Sequence, residues 1–157
     1  MEIKKERLTP MQALQKLQQY CAYQERCHSE AKTKLYNYGL TTNEVDNCIT
    51  ELITENYLNE ERFAIAYAGG KFRIKKWGRV KIKYELAKKQ VSIYCIKKAL
   101  LQIDTEQYYT HFEQLYIKRL DAVRKEKNIF AKKKKIRDYL LQHGYESEMI
   151  NERMKTM

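Results

Sequence analysis

The reactive chemistry available to this 157-residue chain lies mostly in its cations. The run Lys71-Phe72-Arg73-Ile74-Lys75-Lys76-Trp77-Gly78-Arg79-Val80-Lys81-Ile82-Lys83 holds seven of them and no acid, so nothing within it neutralises the charge. Self-repulsion on that scale is tolerated where a polyanion or an acidic surface supplies the counter-charge. A second run, Lys132-Lys133-Lys134-Lys135-Ile136-Arg137, wraps most of a helical circumference. It is either a solvated helix surface or a second contact with the same polyanion. Trp77, in a turn beside glycine, either locks a junction or presents a face to a partner. The charge is unevenly spread: seven cations meet eight acids in residues 1–57, twelve meet three in 58–103, and twelve meet nine in 104–157. The middle third is therefore the polyanion-facing candidate.

Catalytic chemistry has much less support. Cys27-His28 is the only cysteine and histidine in sequence contact, and neighbours on a helix point about 100° apart. The chain has no glycine-rich phosphate loop, no GxSxG, no HExxH and no acidic cluster spaced to hold Mg²⁺. Cys21, Cys27, Cys48 and Cys95 have no CxxC spacing, and the three histidines are not arranged around them as zinc ligands. Reduced, packed thiols are expected, with no metal site and no cofactor. No apolar run approaches the length of a membrane span, and the charged amino terminus lacks the apolar stretch of a secretory signal, so a cytosolic protein is expected.

The elements that must position the cations follow from a repeat. Sliding the sequence by 51 and then by 54 residues aligns Ala31/Ile82/Ile136, Leu35/Leu86/Leu140, Leu40/Val91/Tyr145, Val45/Ile96/Ile150, Ile49/Leu100/Met154 and Leu52/Ile103/Met157. Such a period signals a tandem array whose units lean on one another. Gly39, Gln90 and Gly144 fall where a helix starting near residue 29, 79 or 132 should stop. Helix starts are marked by Thr9-Pro10 with Gln12, Thr41 with Glu44, Asn59 before Glu60-Glu61, and Asp104 with Gln107. The predicted helices are 10–26, 28–38, one from 42, one from 60 interrupted at Gly69-Gly70, then 79–89, 92–102, 105–126, 129–142 and one from about 147. At Gly69-Gly70 either the helix bends or something packs close to its backbone. Strand signals are nearly absent. The fold is expected to be all-α, an elongated, curved tandem array of three three-helix repeats: 1–57, a strongly basic 58–103, and 104–157.

The segment Leu58-Asn59-Glu60-Glu61-Arg62-Phe63-Ala64-Ile65-Ala66-Tyr67, followed by Lys71-Phe72-Arg73, Trp77-Gly78-Arg79-Val80-Lys81-Ile82 and Leu86, resembles the central signature of the bacterial regulatory protein RecX family. Arg26, Glu30, Leu35 and Gly39 carry the likeness into the first repeat, with Cys27 and Ala31 where many members have serine and leucine. The resemblance implies a non-enzymatic, monomeric modulator of the RecA recombinase in recombination, DNA repair and the SOS response. Such a protein lies in the groove of the RecA filament on single-stranded DNA and restrains ATP hydrolysis, strand exchange and co-protease action. The residues expected to face RecA or DNA are Lys71, Arg73, Lys75, Lys76, Trp77, Arg79, Lys81, Lys83, Lys132, Lys133, Lys134, Lys135 and Arg137. The competing reading is an independent DNA-binding protein of tandem helix-turn-helix-like units. Against it, the third helix of the first unit (42–55) is acidic, and the lysines gather before and in the second helices.

Overall fold

The computed structural model describes residues 7–157, which form nine α-helices, one π-helical turn and no strand. In chain order the helices are α1 (Pro10–Tyr23), α2 (His28–Asn37), α3 (Thr42–Thr54), α4 (Glu60–Gly70), α5 (Arg79–Lys88), α6 (Ile93–Leu101), α7 (Thr105–Ala122), α8 (Ile129–Gln142) and α9 (Ser147–Met154), with the π turn at Lys71–Lys75 between α4 and α5. The starts are set by the side chains that mark them in the sequence. Thr9 with Gln12 and Thr41 with Glu44 each form a reciprocal capping box, while Asn59 and Asp104 accept from the backbone N–H groups of Arg62 and Gln107. Two helices stop earlier than their periodicity predicts. At the end of α1 the Arg26 guanidinium stacks on the Tyr20 ring and donates to the Tyr20 carbonyl (3.0 Å), satisfying an orphan acceptor that a further turn would have bonded. The last turn of α7 gives way at Val123, which is buried.

Of the eighteen positions aligned by the repeat, sixteen are buried; Leu100 and Met157 are partly so. The apolar pattern therefore marks the inward faces of the helices. These side chains collect into two cores. One lies among α1, α2 and α3, around Leu17, Leu35 and Leu52. The other runs without interruption through α4 to α9 and takes in Cys27 from the first unit. The accessible surface, 10574 Å², exceeds the roughly 8300 Å² of a compact monomer of this mass, as expected of an extended array.

The second helices of the units meet end to end, through the same carbonyl each time. Counting by 51 and 54 from Tyr38 gives Lys89 and His143. His143 O accepts from the Gly78 N–H (2.7 Å), Lys89 O from the Ser29 hydroxyl (3.0 Å), and Tyr38 O from the Leu8 N–H (3.0 Å). The C-terminus of α8 thus abuts the start of α5, and that of α5 the start of α2. The residue after each accepting carbonyl has positive φ: Gly39 (86°), Gln90 (64°) and Gly144 (92°). The predicted stops are left-handed caps.

Candidate functional site

The junction between α8 and α5 carries most of the first basic run, and backbone contact builds it. Gly78 and Val80 donate to the carbonyls of His143 (2.7 Å) and Gly144 (2.9 Å). A β-carbon on Gly78 would lie 2.3 Å from Gly144 O, and one on Gly144 2.2 Å from Lys81 Cβ, so neither position has room for a side chain. Behind this contact stands a layer of rings: Phe72 stacks on Tyr108 (6.3 Å), and Tyr145 packs on Tyr108 and Phe112 (both 5.3 Å). The Tyr145 hydroxyl donates to Lys76 O (2.8 Å), holding Lys76 in the left-handed conformation that ends the π turn. Tyr108 donates its hydroxyl proton to Glu146 and accepts from the Arg79 N–H (3.0 Å). The Arg79 side chain closes the network, bonding Glu146 (3.0 Å) with its guanidinium 3.9 Å from the centre of the Tyr108 ring. Burial first, and then the Glu146 carboxylate, push the Tyr108 phenol far above its usual range; burial does the same to Tyr145.

The π turn explains the glycine pair. The Arg73 guanidinium lies over Gly69, where a β-carbon would stand 2.7 Å from Nη1, while Gly70 faces open space. Close packing rather than a bend accounts for Gly69, and the packing group belongs to the next turn. The wider winding that follows leaves Phe72 buried and Ile74 and Lys75 exposed.

Within this frame the predicted site residues divide. Arg79 is committed to Glu146, and Lys76 donates to Gln114 (2.9 Å). Trp77 packs on the core, edge-on to Tyr67, with Lys71 Nζ 5.0 Å and Lys81 Nζ 4.7 Å from its ring centre, so it locks the junction. Lys81 also reaches Gln142 O (3.4 Å). On α8, Lys134 pairs with Asp138 and Lys135 with Glu126. Arg73, Lys75, Lys83, Lys132, Lys133 and Arg137 form no ion pair among the described residues. These cations lie on the π turn, α5 and α8, and α5 and α8 are joined by the backbone hydrogen bonds of Gly78 and Val80 to His143 and Gly144. Sequence reasoning missed Tyr108 and Glu146, which hold Arg79 in place across 29 and 67 residues of chain. Asp104 with Gln107 marks only the helix on which Tyr108 sits, and nothing local identifies the ring as the hub.

All four cysteines are free thiols and buried. Cys27 is buried and donates to Glu30 (3.0 Å), and burial raises its thiol pKa; Cys21 is pushed up to about 11, chiefly by burial. Among the described residues no cluster of three or more His, Cys, Asp or Glu could hold a metal ion, and no helix is long and apolar enough to cross a membrane.

Comparison with known proteins gives one consistent result. A family model described as the second three-helix domain of RecX matches residues 59–100, the segment that carries the π turn and the junction. Regulatory protein RecX of Clostridium perfringens (strain SM101 / Type A) is 32% identical over 127 residues, covering 80% of this chain and 59% of that protein. Regulatory protein RecX of Clostridium acetobutylicum is 29% identical over 133 residues, covering 83% and 61%. The chain thus spans about three fifths of the length of these relatives. The crystal structure of RecX from Lactobacillus salivarius shares the fold at a TM-score of 0.80 and 20% identity, over 94% of this chain and 97% of that one. A second RecX crystal structure does so at 0.83 and 20%, over 94% and 72%.

Proposed function

We propose, from the premise that this chain belongs to the RecX family of regulatory proteins, that it binds the RecA recombinase filament on single-stranded DNA and restrains its ATP hydrolysis, strand exchange and co-protease action. It acts by binding, without chemistry of its own, in the cytoplasm and as a monomer. The observation that carries the reading is the set of cations that form no ion pair among the described residues, Lys75 and Lys83 on one side of the α5–α8 junction and Lys132, Lys133 and Arg137 on the other. Backbone contact at the junction ties α5 to α8, an arrangement that suits a regularly spaced polyanion held inside a protein filament. Extension and curvature of the array would let this face follow a helical groove. Affinity should fall steeply between low and physiological salt, because each phosphate neutralised releases counterions.

The direct test is Lys75→Glu combined with Lys83→Glu. Both residues are exposed and form no ion pair among the described residues, so the variant should keep the helicity and melting temperature of the parent. Inhibition of RecA ATP hydrolysis should then need about ten times more protein, as expected when two attractive charges at an interface are reversed. Undiminished inhibition by the folded variant would remove these residues from the binding face. Lys76 is a poorer choice, because its carbonyl and side chain both serve the fold.

A further inference from the structure

Tyrosine is plentiful in this chain, and the fold uses most of it. Tyr108, Tyr116 and Tyr145 are fully buried, and Tyr20 and Tyr67 are partly buried beneath cations. Tyr84 on α5 and Tyr94 on α6 differ. They are 62% and 63% exposed, and neither hydroxyl makes a hydrogen bond among the described residues. Each ring has a lysine of the next turn over it, Lys88 Nζ 5.4 Å from the centre of Tyr84 and Lys98 Nζ 5.5 Å from that of Tyr94. Lys83, next to Tyr84, and Lys97, three residues after Tyr94, are exposed and form no ion pair among the described residues; Glu85, 3.6 Å from Lys88, is the one acid in residues 79–101, against seven cations. The helices pack against each other, and chain geometry limits the two tyrosine Cα atoms to a separation of about 25 Å.

We propose that the outer surface of α5 and α6 is a stacking platform for single-stranded nucleic acid, with Tyr84 and Tyr94 receiving unpaired bases and Lys83, Lys88, Lys97 and Lys98 tracking the phosphates. Two chemistries meet here that single strands need together: tyrosine rings more than half exposed, and beside them Lys83, Lys97 and Lys98, which form no ion pair among the described residues, with Lys88 sharing its charge with Glu85. A duplex, whose bases are already stacked, would gain only the second. Tyr109 provides the contrast within the same molecule. It is 53% exposed but lines a pocket in which Glu113, Glu146, Glu148 and Glu152 outnumber the one cation, Arg153, itself paired with Glu113, so a phosphate would be disfavoured. The inference deepens the proposed function and rests on its choice of a single strand as partner.

The experiment uses the full chain and a labelled oligothymidylate without recombinase, read by fluorescence anisotropy at several salt concentrations. Tyr84→Ala and Tyr94→Ala should each weaken binding about ten-fold, the loss of one stacked base, with the salt slope unchanged. Tyr84→Phe should stay within about two-fold of the parent, since the ring rather than the hydroxyl does the stacking. Lys88→Ala with Lys98→Ala should instead flatten the slope by about 0.7 for each phosphate no longer neutralised. Tyr109→Ala should change nothing. Parental affinity in the Tyr84→Ala, Tyr94→Ala double variant, an equal loss in Tyr109→Ala, or no binding by the parent at low salt would each overturn the platform. Because RecA is absent, these outcomes are independent of whether the protein inhibits the filament. A protein that stacks single strands yet leaves RecA untouched would keep the platform and sink the proposed function.

Discussion

The two junctions of this array occupy equivalent places and are made of different materials. Between α8 and α5, glycine backbones touch, tyrosine and phenylalanine rings fill the space behind, and one core continues across. Between α5 and α2, the backbone-to-backbone bond is replaced by the Ser29 hydroxyl reaching Lys89 O, flanked by the ion pairs Glu30–Lys89 and Glu25–Arg62, and the α1–α3 core stops short. The equivalent capping positions show the same contrast. Gly144 admits no β-carbon, whereas Gln90 keeps a full side chain at φ 64°. Packed rings and touching backbones have few alternative arrangements; hydrogen-bonded and ionic side chains can exchange partners with water and salt. The second and third units should therefore unfold as one body and the first more independently, and the unpaired cations lie on the rigid side.

The largest effect that would separate the junctions is steric. Gly144→Ala should lower stability by at least about 3 kcal/mol in urea denaturation, combining an overlap with Lys81 and a strained left-handed alanine. Gln90→Gly should change it by no more than about 1 kcal/mol, and in the stabilising direction, because the left-handed strain is relieved. Equal costs at the two positions would break the comparison. Next in size is the hydrogen-bonded hub. Tyr108→Phe leaves Glu146 and the Arg79 N–H short of a partner and should cost about 1–3 kcal/mol, against about 1 kcal/mol or less for Ser29→Ala at the softer junction. Smaller again is Glu25→Ala, which removes a partly exposed pair with Arg62 and leaves the Arg62 bonds to Asn56 and Tyr57 in place. A loss of about 0.2–1 kcal/mol that shrinks in high salt is expected, and a salt-independent loss would show packing rather than charge at work.

The smallest predicted effect lies outside both junctions and sets their baseline. Hydrogen bonds from Arg153 hold the Glu113 carboxyl below its usual range. A depressed folded-state pKa contributes stability that is present above the unfolded pKa and is lost as pH falls through the folded one. Acid melting curves of Glu113→Gln should therefore converge on those of the parent below the ordinary carboxylate range and fall beneath them at neutral pH. Curves that stay parallel at every pH would contradict the assignment.

The sequence revealed more of the scaffold than of the junctions, for a physical reason. Burial of Ala31, Ile82 and Ile136, and of their counterparts along the repeat, is a periodic signal, and so is the stop at Gly39, Gln90 and Gly144. Caps such as Thr9–Gln12 are local, within three residues. The Tyr108–Glu146–Arg79 hub is neither periodic nor local. It joins residues from the two later units, and in sequence Arg79 is one more cation in a run. Lys71, Lys81 and Trp77 were legible as a basic-aromatic cluster, but their stacking on one another depends on the π turn, which no residue pattern announced. The unpaired set, Lys75 and Lys83 with Lys132, Lys133 and Arg137, could be separated from the rest only once ion-pair partners were placed.

The proposed restraint of a recombinase filament by this chain would be read out in ATP hydrolysis. RecA from the same organism, assembled on single-stranded DNA, is titrated with the protein from far below one copy per RecA upward. Strong inhibition at substoichiometric amounts, weakening steeply as salt is raised, is expected. Unchanged hydrolysis at excess protein and low salt would contradict it.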